Sequence, residues 1–409
     1  MKASLSVFGS WRMMVILLTG FSSGLPLALT GATLQAWMSD AQVNLTVIGV
    51  FALATTPYSL KFLWAPLMDH YIPPFLGRRR GWMLICQVAL AITIALFAFC
   101  DPGHSLGTIA FLAFAVAFFS ASQDVAIDAF RTETLLPEEL GAGAGIQTLG
   151  YRIAMIVSGA GALAMADHLP WKVVYLVMAG AMSIGILATL FASEPKEVRL
   201  PKSLAEAFVL PLKEFWMRKG AGEVLLFLFL YKIDAVMANA LTTPFLLELG
   251  FSKTDIAAVV KTFGIAATIV GVLIGGAWMA SLGLRRALWV FGIAQGVSNL
   301  TFLLLAHMGK SYPVMMASVA IENICSGMGT AAYTAFMMSL CDRRFTATQF
   351  ALLTSLMALS RAATSAPTGF LAQHLGWEIF FLISTLIAIP GLAMLSRFKH
   401  WQLQIKPGN

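Results

Sequence analysis

The sequence predicts an all-α integral membrane protein with twelve transmembrane helices in two pseudo-symmetric six-helix bundles. Of its 409 residues, 58% are hydrophobic and only 11% charged, with a mean hydropathy of +0.80. A soluble domain needs about a quarter charged residues to cover its surface. Apolar runs of about 20 residues, each able to cross a hydrocarbon core of about 30 Å as a helix, recur along the whole chain. One long polar interruption near the middle leaves six such runs on either side.

In order, the runs are 12–37, 45–67, 82–100, 106–131, 141–166, 172–193, 222–247, 254–281, 286–307, 312–339, 346–372 and 377–396. Lys2 and Arg12 precede the first as they would in a signal peptide, but its length and the eleven runs that follow make it an uncleaved first helix. The interruption, 194–221, is polar and basic and reads as a cytoplasmic linker between an N-terminal bundle, 1–193, and a C-terminal bundle with a short tail, 222–409. Short echoes support a duplicated unit: His168-Leu169-Pro170-Trp171 with His374-Leu375-Gly376-Trp377, Thr46-Val47-Ile48 with Thr254-Asp255-Ile256, and Arg152 with Arg361. With both termini inside, eighteen Lys and Arg fall on that side, Arg199 and Lys406 among them, against Lys172, Lys253 and Lys310 outside. Both termini are therefore expected in the cytoplasm. The net charge of +7 expresses this topology and contact with anionic lipid, not nucleic acid.

Ionisable residues well inside the runs are Lys61, Asp124, Asp128, Arg152, Lys232, Asp234, Lys261, Glu322 and Arg361, and runs 3, 6, 9 and 12 hold none. Charges are costly against lipid, so these four are the outer helices and the rest enclose a polar cavity. At about 100° per residue, Asp124, Asp128 and Arg131 share one stripe of run 4. Arg152 has two readings, a ligand contact or a partner of Asp124 that seals runs 4 and 5. Lys61 also has two, a ligand contact or a side chain that snorkels to the interface. Pro26 with Gly24, and Gly327 with Gly329, are the flexible points. Cys86, Cys100, Cys325 and Cys341 lack metal-ligand spacing, and no phosphate-binding loop occurs. The chain reads as neither an enzyme nor a metal protein, with gradients as its energy source and no cofactor.

Two parallel six-helix repeats with a central linker resemble the major facilitator superfamily. Its signature after the second helix fits Asp69, Gly77, Arg78, Arg79 and Arg80, stretched here by His70 to Leu76 and opened by Ala65-Pro66 where a small residue is usual. The resemblance makes these residues a conformational latch. More specifically, the string Phe62 to Asp69, the Gly77-Arg78-Arg79-Arg80-Gly81-Trp82 run, Ser23 to Thr30, Thr33 to Met38, Ser120 to Asp124, Gly141 to Ala144, Glu322-Asn323, Gly327 to Thr330 and Ala347 to Leu353 are similar to the AmpG muropeptide permeases. The chain ends soon after run 12, where some relatives are longer, so regulation through such a tail is expected to be absent.

That resemblance implies proton-driven import of N-acetylglucosaminyl-1,6-anhydro-N-acetylmuramyl peptides from periplasm to cytoplasm. The setting is the inner membrane of a Gram-negative bacterium, for peptidoglycan recycling and, indirectly, β-lactamase induction. The alternative is a related carrier of another bulky anion, such as a drug or an acyl-coenzyme. A large ligand with anionic peptide and neutral sugars needs cations, amides and a wide cavity. Lys61, Arg152, Lys232, Lys261 and Arg361 are the candidate cations, and Gln35, Gln123 and Asn323 the leading amides, with Gln147, Asn239 and Asn299 behind them. No histidine lies in the membrane interior, His307 standing at the very end of its run, so the proton carrier is a carboxylate: Asp124 first, Glu322 second, and Asp128 weaker because Arg131 is one turn away. Lys232, Lys261 and Glu322 are expected to form one charged patch. The partners are then the muropeptide, protons and lipid, and the working unit is a monomer.

Overall fold

The structure, a computed structural model, describes residues 7–196 and 201–401. Lys2, Arg199 and Lys406, used above for orientation, lie outside them. Among the described residues, ten helices are long and apolar enough to cross a membrane: α1 (Trp11–Asp40), α2 (Thr46–Leu63), α3 (Arg78–Phe97), α4 (Leu106–Thr134), α5 (Pro137–Ala166), α6 (Trp171–Phe191), α7 (Ala221–Glu248), α8 (Lys253–Leu282), α9 (Leu284–Met308) and α12 (Thr368–His400). Two further rods, α10 (Tyr312–Leu340) and α11 (Thr346–Ser365), stand where the sequence places runs 10 and 11. They are long enough but less apolar, because Glu322, Asn323, Ser326 and Thr330 interrupt α10, and Thr348, Gln349, Ser360 and Arg361 interrupt α11. The protein is a multi-pass helical membrane protein.

Several rods depart from a regular α-helix. Helix α7 breaks at Tyr231 and Lys232, and α5 and α8 widen into π-helical segments, Val157–Gly161 and Ala257–Phe263. Gly376, at φ +78°, interrupts α12 where the sequence places the turn between runs 11 and 12. The glycines read as flexible points are also points of close helix packing. A Cβ on Gly327 would sit 2.6 Å from the Thr268 carbonyl of α8, and one on Gly24 would collide with the Tyr151 carbonyl of α5. Backbones approach there because no side chain intervenes.

The two halves meet at the end that carries the linker. A Cβ on Gly276 of α8 would lie 2.7 Å from the Gly141 carbonyl of α5, and Gly145 abuts Val272. Val125 and Ala129 of α4 pack with Ala347 and Ala351 of α11. An apolar cluster drawn from both halves, including Met13, Ile16, Leu140, Met279, Ala332 and Phe336, closes this end. Replacing Gly276 by Val should wedge α5 from α8 there. Cys341, 1% exposed within the same cluster, should then be alkylated by maleimide several-fold faster, measured on its own peptide by mass spectrometry.

A linker helix, Leu204–Trp216, starts with the Ser203 hydroxyl accepting the Glu206 N–H at 3.2 Å. It buries Ala207, Pro211 and Phe215, packing on α11 and on a short helix, Ala65–His70.

Candidate functional site

Beyond Gly145 and Val272 the faces of α5 and α8 part. They enclose, with α7, α9 and α10, a cavity of about 260 Å³ lined by Arg152, Asn239, Thr242, Lys261, Thr268, Glu322 and Asn323 among apolar residues. Each polar group is set by its neighbours. Glu322, 2% exposed, accepts the Asn239 amide at 2.8 Å, and Asn323 accepts the Thr268 hydroxyl at 2.7 Å. Lys261 sits exposed in the π-helical turn of α8. Neither Arg152 nor Lys261 has a carboxylate within ion-pair distance among the described residues, so both cations are available to an anion.

The expected patch of Lys232, Lys261 and Glu322 is met in part: Lys261 and Glu322 line the cavity, and Lys232 stands off its wall but close enough for its charge to act on Glu322. Lys232 leaves the cavity wall at the break in α7, where its ammonium donates to Gln295 at 2.7 Å and to the Ser326 carbonyl at 3.1 Å. The same Gln295 donates to Asp234 at 2.7 Å, so one amide separates the two charges. Gly329 makes room for this link, since a Cβ there would come within 2.5 Å of the Gln295 oxygen.

In the first half, Asp124 takes the Ser23 hydroxyl of α1 at 2.5 Å. Lys61 stands 3.8 Å from Asp128 and is the cation whose field reaches Asp124. Arg131 pairs with Asp128 at 3.0 Å, as the i, i+3 spacing on one helical stripe suggests. The alternative in which Arg152 pairs with Asp124 is not what forms: Arg152 faces the cavity instead. Lys61 does not snorkel outward either, its side chain being 12% exposed. Gln123 is fully buried and accepts the Ser22 hydroxyl at 2.9 Å, holding α1 to α4 away from the cavity. Gln35 and Arg361 are exposed on α1 and α11 and do not line it.

The residues expected to form a latch lie together where the two halves meet. Arg79, 1% exposed, donates to Asp69 at 2.7 Å, to Glu133 at 2.5 Å and to the Met68 carbonyl at 3.2 Å. Asp69 in turn accepts the Thr348 N–H at 2.8 Å, the Thr348 hydroxyl at 2.7 Å and the Ala347 N–H at 3.2 Å. A carboxylate of the first half thus caps the N-terminus of α11 in the second, where the helix dipole favours negative charge. Arg78 joins Glu133 at 3.1 Å and the Arg343 carbonyl at 3.3 Å. Arg80 turns the other way, onto the Thr189 and Leu190 carbonyls at 2.9 and 2.6 Å. Sequence reasoning missed Glu133 and Glu194, whose carboxylate accepts the Arg79 and Arg80 N–H groups at 2.7 and 3.0 Å, and it gave Thr348 and Gln349 no individual role. Glu133 was the most visible of these, an acid two residues beyond Arg131.

Beside this cluster, partial burial pushes the Asp342 carboxyl up, but the Arg344 guanidinium and backbone N–H outweigh it and hold the group below the ordinary range. Its hold on the α10–α11 turn should therefore be complete above pH 3.8 and fade as pH falls through the lower folded value. Asp342→Asn should cost less than about 1 kcal/mol because Arg344 is half-exposed. The difference in melting temperature from the parent should vanish in acid.

A family model of the Major Facilitator Superfamily matches residues 13–363, and again residues 224–402. The anhydromuropeptide permease of Escherichia coli (strain K12) is 47% identical over 394 residues, 96% of this chain and 80% of that protein. The chain belongs to the AmpG family of the major facilitator superfamily. An uncharacterized protein of Haemophilus influenzae is 41% identical over 97% of this chain and 96% of its own length. A putative transporter AmpG 4 of Rickettsia felis is 31% identical over 95% of this chain and 97% of its own. Among solved structures, a bacterial homologue of the iron transporter ferroportin in its outward-facing state aligns with a TM-score of 0.68 at 12% identity, covering 95% of this chain and 98% of that one. The proton:xylose symporter XylE aligns at 0.67 with 10% identity, covering 97% and 96%. At such identities these structures speak for the major facilitator fold alone.

Proposed function

We propose that this AmpG-family transporter imports N-acetylglucosaminyl-1,6-anhydro-N-acetylmuramyl peptides from periplasm to cytoplasm by proton-coupled alternating access, as a monomer in the inner membrane. Import would feed peptidoglycan recycling and, indirectly, β-lactamase induction. The chain crosses twelve times, with residues 1–193 and 222–409 as two six-helix halves, 194–221 as cytoplasmic linker, and both termini in the cytoplasm. The eighteen-to-three distribution of basic residues supports this orientation. The sealed linker end then faces the cytoplasm and the cavity faces outward.

One observation carries the substrate reading: Arg152 of the first half and Lys261 of the second share one cavity with Glu322 and two asparagine side chains. Two unpaired cations on opposing halves suit a ligand with more than one carboxylate, and the amides suit its sugar and peptide hydrogen bonds. A bound anion bridging the halves would favour their closure over it, the differential affinity that alternating access requires. The cavity holds only part of so large a ligand, so its charged peptide would lie here and its sugars toward the open side.

Uptake of labelled anhydromuropeptide into vesicles under an imposed proton gradient tests the proposal. Accumulation above the gradient-free level is expected, and its absence from folded, correctly inserted protein would overturn the reading. Lys261→Ala should weaken the peptide-bearing substrate by about tenfold or more, the scale of a lost charge-assisted contact. The peptide-free disaccharide should be much less affected. Lys232→Ala should discriminate less, because Lys232 is already engaged with Gln295. Equal losses for both ligands in Lys261→Ala would remove this lysine from peptide recognition.

A further inference from the structure

The linker helix has a second face that no described residue covers. Its buried stripe points at α11, and about a third of a turn away Phe208, Val209, Leu212 and Trp216 are 42%, 58%, 55% and 69% exposed. Exposed Lys202, Lys213 and Lys219 flank this apolar strip. The acids of the helix are engaged elsewhere: Glu206 accepts the Lys202 N–H at 2.8 Å, and Glu214 is held by Arg218 and Gln349. Glu206 keeps its charge, but three lysines outweigh it, so the free face combines apolar area, a tryptophan and net positive charge.

We propose that this face lies in the headgroup boundary of the cytoplasmic leaflet, its lysines on anionic phospholipid, and that lipid held there tightens the sealed end. The inference takes its leaflet from the orientation proposed above, but not its substrate. Charge complementarity selects the occupant, since basic amphipathic helices bind anionic bilayer surfaces. A second copy is a poorer fit, because a two-fold interface would set these lysines against themselves. Only the short turn before Gly220 separates the helix from α7, which fixes it at the membrane boundary.

The link to the seal is Gln349. Its amide donates to the Pro211 carbonyl of the linker helix at 3.2 Å and to Glu214 at 2.8 Å, while its oxygen accepts the Asp342 N–H at 2.7 Å. Gln349 directly follows Ala347 and Thr348, whose N–H groups bond Asp69. The linker helix and Asp69 thus grip the same first turn of α11. Whatever immobilises the helix stiffens that turn.

Hydrogen exchange on the full chain tests this in vesicles of phosphatidylcholine alone and with one-quarter phosphatidylglycerol. The anionic lipid should slow exchange about tenfold in residues 204–216 and in the first turn of α11. The triple variant Lys202→Gln, Lys213→Gln, Lys219→Gln should lose the difference between the two lipids, as should the parent in high salt, which screens surface charge. Gln349→Ala should keep lipid protection of the linker helix but lose it at α11. Equal exchange in both vesicles, or a lipid effect that survives salt and the triple variant, would overturn the proposal. So would concentration-dependent protection in detergent, which would name a second copy as the occupant.

Discussion

Asp124→Asn is expected to abolish gradient-driven accumulation while leaving substrate exchange without a gradient intact. Asp124 sits inside α4 with one hydroxyl, that of Ser23 on α1, as its hydrogen-bond partner, and with Lys61 as the cation whose field reaches it. Asp128 is paired with both Lys61 and Arg131. Among the described residues no cation lies within ion-pair distance of Asp124, so under the proposed mechanism its protonation would follow the opening and closing of the halves. Asparagine keeps the shape and accepts the Ser23 hydroxyl, but carries no proton. Measured in vesicles, accumulation should fall to the exchange level. Accumulation that survives in Asp124→Asn would move the proton to Glu322, for which Glu322→Gln is the matching test.

The second large effect belongs to Arg79. Arg79→Ala leaves Asp69 and Glu133 buried together without their shared cation. Removing one member of a buried ion pair costs about 3–5 kcal/mol. The variant should melt well below the parent in detergent, and its Cys341 should be labelled faster as the linker end loosens. Arg79→Lys should rescue little, since one ammonium cannot reach Asp69, Glu133 and the Met68 carbonyl as the planar guanidinium does. Asp69→Asn should be milder, because the amide oxygen still accepts from Thr348. An Arg79→Ala protein that melts and labels like the parent would show that the sealed end rests on the apolar cluster instead.

Much of this was legible because membrane spans obey one rule, apolar length, and embedded charges obey another, burial with a purpose. Most helices appeared near their expected bounds, though α11 ends at Ser365 and α12 begins at Thr368, seven and nine residues before the expected limits, and Asp69 and Arg79 of the signature form an ion pair. What the sequence withheld was direction around each helix. Gln123 and Arg152 both lie in polar stretches of their spans, yet one packs against Ser22 and the other faces the cavity, a difference of rotation that no spacing rule resolves. Lys232 was misplaced for another reason: the break at Tyr231 turns its side chain toward Gln295, and nothing in the apolar run around it announces a break. Gly327 and Gly329 show the limit of residue-type reasoning. A glycine that permits bending and one that permits contact are the same letter, and only the neighbour at 2.6 Å tells them apart.

The widened turns in α5 and α8 have a bearing on how the cavity could change without moving whole helices. A π turn carries one spare residue relative to an α turn. If that surplus slides one turn along the rod, every side chain it passes rotates by about 100° while the axis stays in place. Lys261 lies inside one such segment, and Arg152 lies five residues before the other. The two cations that face the cavity are therefore mounted on the two rods already cut for a screw-like slip of register, which can present or withdraw a charge by re-pairing one backbone hydrogen bond for each residue passed.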